Sequence, residues 1–288
     1  MKAYWIDVGG ITYPEMYNIF LAMKRTHEAG EIPDTLVSAA HPLEISFGYK
    51  RHRNTFSNGF LEEVKKQKGR NTHADALDVL REKGIPFSYI PERPGGATVV
   101  GPGQAPFYIT ADWRRIRPPK MGADGQQRMN DISTWMELID DVMKGVVSMF
   151  NVPVVHTTTS YHKTDEERRT ERKDIWTTQN GSPVKLGARM GVADTQRVAG
   201  GFVFYVTHEG TRYTDIINNC GIPPEEVGAI SIEEVAMRKP NLEAIKDYTK
   251  LEVARVFDYG RFETIPKEDF FEMIRPYMTQ RLTPKPVI

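Results

Sequence analysis

The sequence predicts an α/β or α+β fold with a mixed, largely antiparallel sheet flanked by helices. Strand-like and helix-like segments follow one another in mixed order, without the strict alternation that a doubly wound parallel sheet requires. The glycine-rich stretch fits neither the phosphate-binding loop of nucleotide triphosphatases nor the dinucleotide fingerprint, so it does not indicate a nucleotide-binding sheet. The chain has 288 residues and is 40% hydrophobic, enough for one large core or two smaller ones.

The first third of the chain predicts short strands and three helices. Residues 3–8 favour a strand, and four apolar residues at helical spacing follow it: Met16, Ile19, Phe20 and Met23. In "TLVSAAHPLEISFG" a pair of strands is interrupted at His41-Pro42, because proline removes a ladder hydrogen bond. Residues 49–83 predict two short helices around the loop "KKQKGRNTH", and "IPFSYI" at 85–90 predicts another strand.

The centre of the chain predicts loops around one strand. The stretch "RPGGATVVGPGQ" is rich in turn residues and runs into a strand over Phe107–Ala111. Residues 114–130 have few apolar side chains, so we expect a mobile loop.

The second half predicts helices around a group of antiparallel strands. Ser133 can cap a helix with one apolar stripe, formed by Trp135, Leu138, Ile139, Val142, Val146 and Phe150. After a charged stretch, "DIWTT", "SPVKLGARM" and "GGFVFYV" predict antiparallel strands. Ser231 and Glu234 form a capping box, and helices follow that pack on the same sheet or form a separate layer.

The composition argues against several classes of partner. Lys plus Arg and Asp plus Glu both number 38, so the formal net charge of +0 favours neither nucleic acid nor an anionic membrane. No window approaches the roughly 18 consecutive apolar residues of a spanning helix, and the N-terminal residues do not resemble a signal peptide. A single cysteine excludes an internal disulfide. We expect a soluble cytoplasmic protein.

The only cysteine, Cys220, lies in "NNCGIPP", where Gly221 permits close backbone approach to a ligand. Such a thiol is either a small buried apolar group or a nucleophile, and a nucleophilic thiol needs a nearby base or cation. Lys185 is the candidate, since small residues follow it in the strand, Gly187 and Ala188. Taken alone, a strand lysine is expected to be exposed.

The segment from Gly95 to Gln104 can curve backbone amides around a carbonyl or phosphate oxygen, or it can be a hairpin without a ligand. The seven histidines show no ligand spacing, so we expect no metal site.

Three segments together resemble the lipoyl(octanoyl) transferases, relatives of the lipoate and biotin protein ligases. That family carries R-G-G-x-x-T, an aromatic residue and H-G-P-G-Q, where residues 93–104 here read "RPGGATVVGPGQ". It carries a strand that begins with lysine, as "KLGA" does from Lys185, and N-P-C-G, where residues 218–221 read "NNCG". The order and approximate spacing agree over residues 3–257.

The resemblance implies a fold like that of the class II biotin/lipoate ligases and a covalent mechanism. Cys220 would take an octanoyl or lipoyl group from acyl carrier protein as a thioester and pass it to a lysine of a lipoyl domain, with Lys185 as acid and base. No cofactor is implied, because the acyl thioester is a substrate. The acceptors implied are lipoyl domains of 2-oxoacid dehydrogenase complexes or the glycine cleavage H protein.

The resemblance also implies which residues bind substrate: Arg93, Gly95, Gly96, Thr98, Val100, Gly101, Gly103, Gln104, Gly187, Ala188, Gly200, Gly201 and Gly221. Val100 stands where the family has one histidine, and Gly200 falls on or near the position of a second. Pro94 and Asn219 replace a glycine and a proline of the family's motifs. We expect one domain over residues 1–260, with insertions near 50–75 and 114–131, and a C-terminal extension over 261–288.

Two alternatives remain open. One is an ATP-dependent lipoate-protein ligase that works through an acyl adenylate, although such ligases lack the cysteine motif and have a longer glycine run beside a histidine. The other is a non-catalytic relative that binds a lipoyl domain or a carrier protein, which the two missing histidines motivate.

Overall fold

The structure, a computed structural model, describes the chain in eleven segments. These are residues 1–49, 55–93, 95–112, 120–121, 127–128, 132–155, 174–193, 198–218, 223–224, 228–236 and 239–278. The strands are β1 (Lys2–Gly10), β2 (Thr35–Ala40), β3 (Glu44–Phe47), β4 (Phe87–Tyr89), β5 (Ala97–Val100), β6 (Gln104–Ala111), β7 (Lys120–Met121), β8 (Gln127–Arg128), β9 (Ile175–Gln179), β10 (Ser182–Ala193), β11 (Val198–Tyr205) and β12 (Arg261–Thr264). The helices are α1 (Tyr13–Glu28), α2 (Asn58–Lys68), α3 (His73–Glu82), α4 (Ile132–Ser148), α5 (Ile232–Val235), α6 (Leu242–Val256) and α7 (Lys267–Ile274).

A seven-stranded sheet forms the centre of the fold, in the order β12-β1-β2-β6-β11-β10-β9. β1 pairs in parallel with β12 and β2, and every pair from β2 to β9 is antiparallel. A smaller sheet has the order β4-β3-β5. The mixed, largely antiparallel sheet that the sequence predicts is therefore confirmed.

Helices cover both faces of the large sheet. On one face α4 and α6 bury an apolar cluster around Trp135, Phe107 and Phe204. On the other face α1 and α7 pack through Phe20 and Phe270. The helices after residue 231 thus share the core of the large sheet, and the small sheet forms a third apolar cluster with α2 and α3.

Most predicted elements are present, with three differences. The glycine-rich stretch contains a strand, β5, which pairs with β3. Helix α4 begins at Ile132, so Ser133 lies inside its first turn instead of capping it. The two strands around His41-Pro42 do not pair with each other, because β2 belongs to the large sheet and β3 to the small one.

The segments expected to be insertions or an extension are partly described. Residues 50–75 contribute α2 and the start of α3, and the charged loop contains the short antiparallel pair β7 and β8. The rest of 114–130, and the charged stretch after residue 161, lie outside the described residues. Residues 261–264 form the edge strand β12, and α7 packs on α1, so this part of the extension completes the large sheet. None of the helices described has the length and apolar character needed to cross a membrane.

The turn between β5 and β6 depends on a glycine in the left-handed region. Gly103 has φ +79°, and its carbonyl accepts hydrogen bonds from the N–H groups of Val206 and Thr207 at 2.9 and 3.1 Å. A Cβ there would lie 2.5 Å from the Gly210 nitrogen and closer still to the Thr207 hydroxyl. The G-P-G-Q segment is thereby fixed against residues 206–210.

We expect Gly103→Ala to lower the free energy of unfolding by about 3 kcal/mol or more, because strain in the left-handed region adds to the collision. Gly84→Ala is the matched control, since Gly84 has φ +67° and a Cβ added to it would meet no atom within 4 Å. It should cost only about 1 to 2 kcal/mol. Urea unfolding measures both, and equal losses would contradict the account of the turn.

Candidate functional site

A cavity of about 330 Å³ lies between the small sheet and the strands β6, β11 and β10 of the large sheet. The small sheet and the loop before it contribute residues 95–100, and α1 and α4 each contribute one side chain. The lining residues are Tyr13, Arg93, Gly95, Gly96, Ala97, Thr98, Val99, Val100, Pro106, Phe107, Tyr108, Met136, Ala188, Arg189, Gly201, Phe202 and Val203. The lining is therefore mainly apolar, with two arginines.

Strand register brings small residues together in this lining. Gly201 pairs with Tyr108 on β6, while Val203 pairs with Ala188 on β10. A Cβ on Gly201 would lie 2.7 Å from the Phe107 carbonyl oxygen, so a larger residue would collide with the neighbouring strand. The absence of bulky side chains at Gly201 and Ala188 leaves the space open.

Arg93 forms a buried cationic wall of the cavity. Its side chain is held by main-chain acceptors, because Nη2 donates to the Ser46 carbonyl at 2.7 Å and to the Gly96 carbonyl. Nε is buried without a hydrogen-bond partner, and no carboxylate of the described residues pairs with the guanidinium. A buried guanidinium that has an unpaired N–H and no carboxylate partner nearby favours the binding of an anionic or strongly polar ligand group.

Two tyrosines and a histidine form a polar corner. The Tyr108 hydroxyl donates to Nε2 of His41 at 2.8 Å, and Nδ1 of His41 donates to the Ile11 carbonyl at 2.8 Å. Burial lowers the pKa of His41, which keeps Nε2 unprotonated and able to accept. The Tyr13 ring packs edge-on against the imidazole, with 5.5 Å between the ring centres. His41 therefore holds both tyrosines that line the cavity in place.

Lys185 is buried, with 4% of its surface exposed, so the expectation of an exposed strand lysine is wrong. Its Nζ lies 2.7 Å from Oδ2 of Asp174, in an ion pair that is not aligned as a hydrogen bond. Val184 and Leu186 belong to the core under α4, so strand alternation directs Lys185 to the opposite face of the sheet. Lys185 is not among the residues that line the cavity.

A second buried ion pair lies beside the first. The Arg189 guanidinium pairs with the Asp140 carboxylate on α4 and donates to the Met136 carbonyl at 2.5 Å. Burial raises the pKa of Asp140 to about 6, and Arg189 opposes that shift. The backbone N–H of Arg189 donates to Oδ1 of Asp174 at 3.4 Å, which links the two ion pairs.

The predicted substrate-binding residues divide into two groups. Seven line the cavity: Arg93, Gly95, Gly96, Thr98, Val100, Ala188 and Gly201. Five lie outside its lining: Gly101, Gly103, Gln104, Gly187 and Gly200. Of these, Gln104 donates to the Gly210 carbonyl at 2.8 Å, and a Cβ on Gly187 would meet the Val203 carbonyl and the Met143 side chain. Their role in binding substrate stays a prediction.

Cys220 and Gly221 lie outside the described residues. The chain before them is anchored, because Asn218 donates from its backbone to the Thr55 carbonyl at 3.0 Å and from its side chain to the Phe56 carbonyl. The chain after them returns to Lys185, whose N–H donates to the Gly228 carbonyl at 3.0 Å. Gly228, eight residues after Cys220 in the sequence, therefore contacts the backbone of the candidate lysine.

Sequence reasoning missed several polar residues of the site: Asp174, Asp140, Arg189, Tyr13, Tyr108 and His41. One signal for Asp174 was available in "QNGS", since Asn-Gly between strands favours a two-residue hairpin. Asn180 and Gly181 do have positive φ, and Lys185 pairs with Trp176 in the resulting register. A bulge between Lys185 and Gly187 then shifts the register, which a turn rule does not predict.

We expect Asp174→Asn to lower the free energy of unfolding by about 3 to 5 kcal/mol, because it leaves the Lys185 ammonium buried without its carboxylate. Asn keeps the acceptor for the Arg189 N–H. Adding Lys185→Met should recover most of the loss, since the buried ammonium that lost its carboxylate is then gone. Urea unfolding of the single and double variants measures this.

The control for that experiment is the surface pair of Lys68 and Glu82, in which both side chains are more than a quarter exposed. Glu82→Ala should change stability little, because water solvates the remaining lysine. A loss for Asp174→Asn no greater than that for Glu82→Ala would contradict a buried charge pair.

Comparisons with solved structures identify the fold. The chain is 12% identical to a T. acidophilum protein described as a putative lipoate protein ligase with bound lipoic acid, with a TM-score of 0.64 over 97% of this chain and 98% of that one. It is 12% identical to a lipoate-protein ligase A bound with ATP, with a TM-score of 0.62 over 97% of each chain. A bipartite lipoate protein ligase from Thermoplasma acidophilum, studied with its E2 lipoyl domain, gives 11% identity and a TM-score of 0.60 over 97% and 95%.

No protein-family model matches the sequence, and no curated protein matches it. At these identities the similarity is one of fold. The chain has the fold of the lipoate-protein ligases along nearly its whole length, which confirms the expected class of fold.

Proposed function

We propose that this protein attaches a medium-length acyl group, octanoyl or lipoyl, to a lysine of a lipoyl domain. The observation that carries the proposal is the mainly apolar cavity with the buried Arg93 in its wall, a guanidinium that pairs with no carboxylate of the described residues. The solved structures of the same fold, which include one with bound lipoic acid and one studied with its E2 lipoyl domain, support this choice of substrate and acceptor.

The size and lining of the cavity suit a short acyl chain. A volume of about 330 Å³ lies at the lower end of the range for small-molecule sites, which is roughly 300 to 1,000 Å³. Val99, Phe107 and Phe202 offer apolar surface, while Gly201 and Ala188 leave room over the strands. An alkyl chain or a dithiolane ring would be desolvated there, and burying each methylene contributes about 0.8 kcal/mol.

We further propose that transfer proceeds through Cys220. The Cys220 thiol would pass its proton to the amine form of Lys185, and the resulting thiolate would attack the thioester carbonyl of acyl-loaded acyl carrier protein. A Cys220 thioester forms, and the carrier's sulfur leaves as a thiol after it takes that proton from Lys185. The amine of the acceptor lysine would then attack that thioester, form the amide and release the Cys220 thiolate. Lys185, in its amine form, would accept the proton that the acceptor amine loses and pass it to the Cys220 sulfur, which restores the thiol. Each step balances without a metal or ATP.

A second candidate is ATP-dependent ligation of free lipoate. A lipoate-protein ligase A bound with ATP has the same fold over 97% of both chains, which favours this route at the level of fold. In that case the acyl adenylate would replace the Cys220 thioester, and adenosine monophosphate would leave when the acceptor lysine attacks.

The two routes are distinguished by intact mass spectrometry of the enzyme and a lipoyl domain. With octanoyl-acyl carrier protein and no ATP, we expect an octanoyl adduct on the enzyme at Cys220, labile to hydroxylamine, and an octanoylated lipoyl domain. Cys220→Ser should lose both products. With free lipoate and ATP, the same enzyme should give no modified lipoyl domain.

Lys185→Met gives a second control. It should slow transfer by about 100-fold or more, because general acid–base catalysis is removed, while the lipoyl domain can still accept the acyl group.

Full transfer by Cys220→Ser would contradict the covalent route. Modification that requires ATP would establish the second candidate, and no modification under either condition would contradict the proposed function.

A further inference from the structure

The cavity between the two sheets is open at one end and closed at the other. Half-buried lining residues mark the open end, the mouth, among them Gly95, Gly96, Thr98, Ala188 and Val203. The closed end is lined by buried residues, which include Tyr13, Val100, Tyr108 and Gly201. Arg93 reaches the mouth from its buried position, since a Cβ on Gly95 would lie 2.8 Å from its Nη1.

The direction of a bound acyl chain follows from the proposed function, on which this inference rests. The carrier protein and the acceptor lysine approach from solvent, so the reacting carbonyl has to stay at the mouth. The tail of the chain therefore points to the closed end, where the lining is buried. Removal of the tail from water there favours binding.

The ring of Tyr108 forms the end wall of the cavity. On this face of the sheet Tyr108 follows Pro106 along β6, and its neighbour on β11, Gly201, has no side chain. The next residues on the same face, Thr110 and Ala199, are fully buried and do not line the cavity. The cavity therefore stops at the Tyr108 ring in the direction of these strands.

Contacts behind the cavity hold the Tyr108 ring in place. Its hydroxyl donates to Nε2 of His41 at 2.8 Å, and the Phe20 ring of α1 packs against it with 5.9 Å between the ring centres. Val37 lies beside Tyr108 in the sheet and is fully buried. An acyl chain could pass the ring only by breaking a buried hydrogen bond and displacing packed side chains.

We propose that Tyr108 determines the longest acyl chain that the cavity accepts. Its ring is a fixed wall against which the last methyl group of a medium-length chain stops. A longer chain leaves its extra methylenes at the mouth, in water, and gains no affinity from them. A smaller apolar side chain at this position opens a space lined mainly by Phe20, Val37 and Ala199, in which a longer tail can be buried.

The test measures how tightly the full chain binds hexanoate, octanoate, decanoate, dodecanoate and tetradecanoate, by isothermal titration calorimetry. Each step of two buried methylenes should tighten binding by about 15-fold until the chain fills the cavity. In the wild-type protein this gain should stop at the acid whose tail reaches Tyr108. In Tyr108→Leu the gain should continue for at least one further acid of the series.

Tyr17→Leu is the matched control. Tyr17 is buried in the same apolar cluster and packs on Phe20 with 6.1 Å between the ring centres, but it does not line the cavity. The variant removes the same atoms from the same core, so it should lower stability without moving the length limit. If Tyr108→Leu does not fold, Tyr108→Met removes the ring with a flexible apolar side chain and carries the same expectation.

The same length limit in the wild-type protein and Tyr108→Leu would overturn the inference and leave the acyl site of the proposed function intact. An equal shift in Tyr17→Leu would also overturn it, because any loosening of the core under α1 would then lengthen the cavity. If no variant and no wild-type protein bound any of the acids, the proposed function itself would be contradicted, and the end wall with it.

Discussion

The hydrogen-bond register of β6, β11 and β10 is the constraint on which the cavity depends. It aligns Tyr108 with Gly201 and Ala188 with Val203, so that small side chains lie together beneath the small sheet. The Gly103 turn fixes where β6 begins, and a shift of one residue would send every side chain of that strand to the opposite face. The open space is thus a consequence of backbone pairing as much as of side-chain size.

The charged groups of the candidate site are buried side chains, which provide the polar chemistry that the apolar cavity itself lacks. Lys185 and Arg189 occupy the strand β10, and each has a carboxylate from another segment, so the strand is tied to α4 and to the start of β9. Arg93 differs from both, because within the described part of the chain its guanidinium is held by main-chain carbonyls, those of Ser46 and Gly96. A ligand carbonyl or carboxylate near Arg93 would satisfy a guanidinium that has no anionic partner among the described residues.

Local patterns were enough to predict the sheet and most helices. The family resemblance pointed to residues 93–100, most of which line the cavity, while the roles of these residues and of Lys185 stay predictions. Local patterns failed where long-range contacts decide the outcome. The burial of Lys185 depends on Asp174, which a bulge brings into position, and the role of Tyr108 depends on His41 from a distant part of the chain. The G-P-G-Q segment has the composition of a ligand-binding loop, yet Gly103 and Gln104 bond to residues 206–210. Composition alone does not distinguish a glycine that approaches a ligand from one that approaches the backbone.

The central claim is that the space between the two sheets holds the acyl chain. A crystal structure of the protein with lipoic acid or octanoic acid tests it most directly. The account predicts the chain between residues 95–100 and the strand surface at Gly201 and Ala188, with its carboxylate toward Arg93. A ligand bound outside this space, with the cavity still empty, would contradict the account.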